Sequence, residues 1–492
     1  LNLASKTSSY LDLSILGSTL KFAYFTNRFT TLDIFDKLEQ EDEEKENKEE
    51  SNEAAFTIDD DISYTMIHQN SLVSREYFQE FLDSLSDLAF VYDENIYEFA
   101  YLLMHNEVPF VTCFEGSQTS EVKTSLKSFE SYLFYLTERT AYKNVEEESW
   151  YNSDEICEIM SNQPLFRSNM VNLFENLMDH EIEQCLAEDK LLNVIKIVLS
   201  GIIFIVDLVP IMIFIRLFIK DCRKMIKLLK ELDPKLKEEA KKPIRKDTSF
   251  DLQQMNDKRY KKTKWIILML VIFILSVAST MIIFFMLSQI DELNDEIKKM
   301  NHWNLLSAKR LTFSIDSIIY VLNSILLKSF NTSLNNKHDE YERMVRLARQ
   351  GIEELEVSNE ELLKGKSDIS SPCYKFDEIL DSMNYENVCV VDNNNDTNMH
   401  DSYRCCSLST TVGMFITMMK ALLDELEETN GNFDCDTVYH SIHLLNKHLF
   451  TRLQDFIDRL TEINEEHCES LEKQTLIIFI VGVVISFLLF LV

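Results

Sequence analysis

Ten cysteines, at 113, 157, 185, 222, 373, 389, 405, 406, 435 and 468, are the residues with the most chemistry open to them. Nine lie in two long flanking regions and only Cys222 in the basic stretch between, a partition that fits disulfides in an oxidising compartment. Pairing is limited by spacing. A continuous helix from Cys157 to Cys185 would hold those sulfurs several turns apart, beyond disulfide reach. Cys113 is therefore expected to pair with Cys157, and Cys435 with one of Cys373, Cys389, Cys405 or Cys406. Cys185 and Cys468, close to apolar runs, would then be free thiols or bridges between subunits.

Other candidates are fewer. Cys435, Asp436, His440, His443 and His448 bring metal-ligating types together, and His440 and His443 share a helical face at i, i+3. Their spacing matches no zinc signature, so histidines packed in a bundle are expected instead. Asp207 interrupts an apolar run, and such a carboxylate marks an ion path or, more simply, a helix-packing contact. Lys220, Arg223, Lys224, Lys227 and Lys230 form one face of an amphipathic basic segment, suited to lie on anionic lipid. Asn331-Thr332-Ser333 and Asn395-Asp396-Thr397 are N-glycosylation sequons. No Gly-rich phosphate loop, nucleophile elbow, zinc motif or kinase signature occurs. No catalytic residue, cofactor or metal site is expected.

The elements that must position these residues follow from composition. With 8 Gly and 6 Pro in 492 residues, turn-formers are scarce and long helices are favoured, so the fold expected is all-α. Ile197–Ile219, Trp265–Ile290 and Leu476–Val492 are apolar runs, the first two long enough to cross ~30 Å of hydrocarbon as helices. Between the first two, Lys220–Lys264 carries a net charge of +8 in a chain of −33. The positive-inside rule places that loop in the cytoplasm and both flanking regions outside or in a lumen, and the acidic balance excludes nucleic acid as a partner. The architecture expected is a multipass membrane protein whose long helices extend from the spans into two helical-bundle exterior domains. Residues 1–190 form the first domain and 291–474 the second. Transmembrane helices fall at 191–219, 265–290 and 475–492, the last cut off in mid-span, with the basic loop at 220–264. Residues 39–61, with 12 acidic residues and 2 Lys, read as a disordered insert. Pro164 is expected to interrupt the helix that begins near Ser153, 106–117 to be a break between helices, and 366–407 an irregular tip.

The two exterior regions look like copies. Leu3-Ala4-Ser5-Lys6 can be set against Leu306-Ser307-Ala308-Lys309 at an offset of 303, while Cys157 and Cys435 each precede an apolar run by 40 residues, at an offset of 278. The offsets differ by 25, close to the length of the acidic insert, so one insertion in one copy accounts for both registers.

The phrase FIRLFIKDCRKMIKLLKELDPKLKEEA, Phe214–Ala240, together with the repeated layout, resembles the large multipass nucleotide cyclases of parabasalid protists. That resemblance implies a sensor region whose catalytic domain lies C-terminal to all spans, so no catalytic residue carries over. The layout is also similar to that of prominin-like proteins, which alternate large glycosylated helical exterior loops with short interior ones. The function expected is a receptor or sensor region, homo-oligomeric in the lipid bilayer, with an exterior ligand the sequence does not identify. A structural or membrane-organising protein is the alternative, and a channel or transporter subunit a third.

Overall fold

The computed structural model describes residues 6, 10–13, 15–16, 60–89, 108–114, 117–142, 154–231, 233, 238, 251–329, 337–366, 372–389, 402–428 and 435–491. Most of the acidic insert and both sequons, Asn331 and Asn395, lie outside them. The described residues are mostly helical. After a helical N-terminal stretch (residues 6, 10–13, 15–16) come α1 (Asp60–Ala89), a hairpin β1 (Val108–Phe114) and β2 (Ser117–Thr124), and α2 (Leu126–Tyr142). Two very long helices follow, α3 (Asp154–Glu231) and α4 (Asp251–Ser329). Then come α5 (Lys337–Lys364), α6 (Glu378–Tyr385), a two-residue ladder of β3 (Val388–Cys389) and β4 (Cys405–Cys406), α7 (Leu408–Glu428) and α8 (Cys435–His443). A π-helical turn (Leu444–Leu449) leads into α9 (Phe450–Leu491).

The chain divides into two compact units. One comprises Leu1–Ile182 with Ile297–Glu466, the other Glu183–Glu296 with His467–Val492. Most of the two segments flanking the basic stretch thus belongs to one unit. Within it the two segments exchange partners. Lys6 of the first pairs with Asp458 of α9 at 2.8 Å, and Tyr10 reaches Gln454 and packs edge-on against Phe450. Lys309, which the offset of 303 matches to Lys6, pairs instead with Glu175 of α3 at 2.6 Å. The opening helix of each segment therefore meets the closing helix of the other. Around these contacts the core is apolar: Ile315, Ile318, Ile319, Leu322, Phe415, Met419, Leu453 and Phe456 are all buried.

Three sequence expectations are corrected here. The break at 106–117 is a β-hairpin that takes in residues expected to be helical up to Thr124. Its strands pair in antiparallel register from Val108 opposite Thr124 to Phe114 opposite Ser117. The other edge of β1 is closed by side chains of α3. Asn162 accepts from the Val111 N–H at 2.7 Å and donates to its carbonyl at 2.7 Å, acting as a one-residue strand partner. Glu158 accepts from Cys113 N–H at 3.1 Å, and the Cys113–Cys157 disulfide fixes the same corner. Such pairing answers the requirement that buried backbone groups be satisfied, and only the tertiary fold supplies it.

The second correction is at Pro164, through which α3 runs without a break. Proline lacks the N–H that would bond the carbonyl four residues back. Here that carbonyl, on Met160, accepts from Arg343 of α5 at 3.3 Å, so a long-range donor replaces the lost bond. Third, the expected irregular tip contains α6 and the β3–β4 ladder. Asp377 caps α6 by accepting from Leu380 N–H at 2.9 Å, and is itself held by Arg459 at 2.8 Å. Gly365, at φ 70°, ends α5 in the left-handed conformation that glycine adopts without strain, its N–H bonded to the Glu361 carbonyl.

Among the described residues no helix is long and apolar enough to cross a membrane. The backbones of 197–219, 265–290 and 476–491 are helical, but many of their side chains lie outside the described set.

Asn162→Ala removes both Val111 bonds and a third to the Glu158 carbonyl at 2.8 Å. It is expected to cost about 2–4 kcal/mol of unfolding free energy, read as a lower urea midpoint at constant slope. A loss below about 0.5 kcal/mol would show that the hairpin does not depend on this residue.

Candidate functional site

In the interior of the first unit an arginine meets two carboxylates from distant parts of the sequence. Arg167, on α3, forms an ion pair with Asp12 of the N-terminal stretch, and its Nε lies 2.7 Å from Asp316 of α4. Its side chain is 5% exposed and each carboxylate 1%. Gln163, one turn before Arg167, donates to Asp316 at 2.9 Å and to Asp12 at 3.2 Å. Each side chain is placed by helical geometry: Gln163 and Arg167 share a face at i, i+4, and Asp316 sits in a stretch of α4 that is buried all round.

Two carboxylates and one guanidinium leave an excess negative charge in a low-dielectric interior, which favours uptake of a proton. Burial accordingly holds the Asp316 carboxyl above its ordinary 3.8, against the lowering influence of Arg167 and Gln163. Tyr320, one turn on, is pushed well above the usual phenol range by burial and then by Asp316. The layer borders a cleft of about 300 Å³ lined by Arg167, Lys309, Glu175, Tyr320, Gln350 and Glu354 among others. This arrangement can hold or release a proton and clamp three chain segments. It offers no nucleophile with a base beside it.

The sequence-derived candidates are distributed elsewhere. Cys113 is joined to Cys157 with Cα atoms 6.1 Å apart. Cys389 is joined to Cys405, opposite it in the β3–β4 ladder. That ladder removes both from the set expected to pair with Cys435, and Cys373 and Cys406 remain thiols. Cys373 is buried, which pushes its thiol up to about 11. Cys468 is an exposed thiol and Cys222 a half-buried one. The side chains of Cys185, Cys435 and Asp207 lie outside the described set. Lys220, Arg223, Lys224 and Lys227 share a shallow groove with Arg216 and Ile219, and Lys230 is exposed on the same helix.

His440, His443 and His448 are brought together, but as a ring-packed cluster. Tyr403 lies 2.8 Å from His440 Nδ1 through its hydroxyl, and its ring contacts those of His443 and His448. The π turn supplies the geometry. Its i→i+5 bonding, seen in Phe450 N–H to the Leu445 carbonyl, sets His443 and His448 one above the other with ring centroids 5.4 Å apart. Among the described residues no three His, Cys, Asp or Glu side chains converge to hold a metal ion.

The members of the Arg167 layer and Glu130 escaped sequence reasoning. Arg167 carries no local signal, because its partners lie 155 and 149 residues away. Glu130, on α2, is fully buried, and neither carboxylate oxygen has a hydrogen-bond partner. Burial raises its carboxyl well above 4.5. The apolar and aromatic composition of α2 around it, with Phe129, Tyr132, Leu133 and Phe134, was the only available sign.

No protein-family model matches the chain, nor does any curated protein or solved structure.

A carboxyl whose folded pKa exceeds its unfolded value binds more protons when folded. Stability at Asp316 and Glu130 therefore falls as pH rises from their ordinary values, 3.8 and 4.5, through the raised ones. Glu130→Gln, which mimics the protonated form, is expected to raise the urea midpoint at pH 7 and leave it nearly unchanged at pH 3.5. An equal shift at both pH values would show that ionisation of Glu130 is not the cause.

Proposed function

We propose that this chain is the sensor region of a multipass membrane receptor, in which the Asp12–Arg167–Asp316 layer couples an exterior helical unit to helices that enter the bilayer. The observation that carries the reading is where exposed large apolar side chains fall. In α3 they include Ile197, Val198, Ile213, Leu217 and Phe218; in α4, Ile267, Ile274, Met281 and Phe285; in α9, Leu476, Ile477 and Ile480. Soluble proteins rarely leave such extended apolar surface in water, whereas hydrocarbon is a natural solvent for it. The 18 residues from Ile197 to Phe214 contain one charged residue, Asp207, and fit a span on composition.

The basic face Lys220, Arg223, Lys224, Lys227 and Lys230 follows the first run directly and anchors it at the cytoplasmic surface. Signalling then needs an element with two arrangements that the exterior can bias. The ionic layer is suited to that role. It links α3, which leads into the first run, with α4, which emerges from the second, and a shift of either helix must break or remake a buried ion pair.

Cys222 and Cys468 are native reporters for the topology. A membrane-impermeant maleimide applied to intact cells is expected to label Cys468 and to reach Cys222 only after permeabilisation, with the chain resisting alkaline carbonate extraction. Release by carbonate, or labelling of Cys222 on intact cells, would overturn the membrane reading. If the chain stays membrane-bound but Arg167→Met leaves the behaviour of the full-length protein unaltered, a structural, membrane-organising role is favoured over sensing.

A further inference from the structure

The β3–β4 ladder holds three cysteines in a geometry that the fold itself does not require. Cys389 and Cys405 face each other and are disulfide-bonded, and Cys406, the next residue, sits opposite Val388. The ladder consists of these two pairs alone. Register in a strand pair is set by a buried face or by neighbouring pairs. Neither operates here, since Val388 is 47% exposed and both bonded cysteines are exposed. Cys406 is half-buried, its Sγ 3.2 Å from the Ser402 carbonyl, and Arg452 holds its main chain by donating to the Cys406 carbonyl at 3.1 Å.

We propose that Cys389, Cys405 and Cys406 form a thiol–disulfide exchange site with two isomers, 389–405 and 389–406, related by a one-residue slip of the ladder that turns Cys406 onto the face Cys405 now occupies. The step balances without an external oxidant. The Cys406 thiol loses its proton and attacks Sγ of Cys389, the Sγ389–Sγ406 bond forms, the Sγ389–Sγ405 bond breaks, and Cys405 leaves as a thiolate that takes up a proton. The slip moves the strands by about 3.3 Å, the rise per residue. It acts directly on Tyr403, two residues before Cys405, whose buried hydroxyl meets His440 at 2.8 Å beside the π turn at the head of α9. A small-molecule thiol outside the cell, or a thiol on another protein, can enter the same exchange through the exposed sulfurs and set the ratio of isomers. Cys373, fully buried, takes no part.

The test is a map of the free thiol. The full chain is equilibrated with a low concentration of reduced and oxidised glutathione, quenched in acid, alkylated with N-ethylmaleimide and sequenced by tandem mass spectrometry; Arg404 provides a tryptic cut just before Cys405. Wild type is expected to give two populations, one alkylated at Cys406 and one at Cys405. Cys405→Ser is expected to retain a disulfide, now Cys389–Cys406, with an unchanged circular dichroism spectrum. The proposal is overturned if Cys405→Ser folds but is alkylated at both Cys389 and Cys406. If that variant fails to fold, the wild-type map decides: alkylation of Cys406 alone after equilibration overturns the proposal, and a mixed map supports it.

Discussion

Placing a guanidinium in a protein interior is costly, and everything around Arg167 in the first unit is arranged to offset that cost. Asp12 and Asp316 supply the counter-charge and Gln163 bridges the two carboxylates. Buried ion pairs of this kind add little to stability compared with apolar side chains of the same volume, while removing one member is severe. What they provide is specificity of arrangement. Asp12 and Asp316 are 304 residues apart in sequence, and Arg167 can satisfy both only when the N-terminal stretch, α3 and α4 are in register.

The exchange of partners between the two presumed copies rests on the same constraint. Lys6 with Asp458 and Lys309 with Glu175 are partly exposed pairs, worth little singly. They gain meaning from the pattern: matched lysines of the two copies each reach across to the closing helix of the other. The central layer breaks this symmetry. The offset of 303 sets Leu13 against Asp316, and the offset of 278 sets Leu445 against Arg167, so two buried leucines, one from each segment, stand at the positions matched to the ion pair. If the copies arose by duplication, one contact kept an apolar core and the other acquired a charged one.

Much of the helical architecture was legible in the sequence because it follows from local causes. Scarce Gly and Pro, long apolar runs and 3.6-residue periodicity announce the helical cores of α3, α4 and α9, although α4 begins at Asp251, inside the segment expected to be a loop. What could not be read depended on distant partners. Pro164 signals a helix break unless Arg343, 179 residues on, is there to bond the Met160 carbonyl. Residues 108–124 alternate too irregularly to be recognised as strands, since one edge of β1 is completed by Asn162 and Glu158 and not by another strand. The site was the least legible part. Cysteines and histidines attract attention by type, and the structure does gather them. Arg167, Asp316 and Glu130 are common residue types whose importance comes from burial alone.

The central claim is that Arg167 and Asp316 act as one energetic unit holding α3 to α4, and a double-mutant cycle tests it most directly. Unfolding free energies of wild type, Arg167→Met, Asp316→Leu and the double variant give the coupling between them. The account predicts that Arg167→Met is strongly destabilising, by about 3–5 kcal/mol, as two carboxylates are left buried without their counter-charge, and that Asp316→Leu, which leaves Arg167 paired with Asp12, costs less. The double change should cost less than the sum by about 2 kcal/mol or more. Additive losses, with a coupling below about 0.5 kcal/mol, would contradict it.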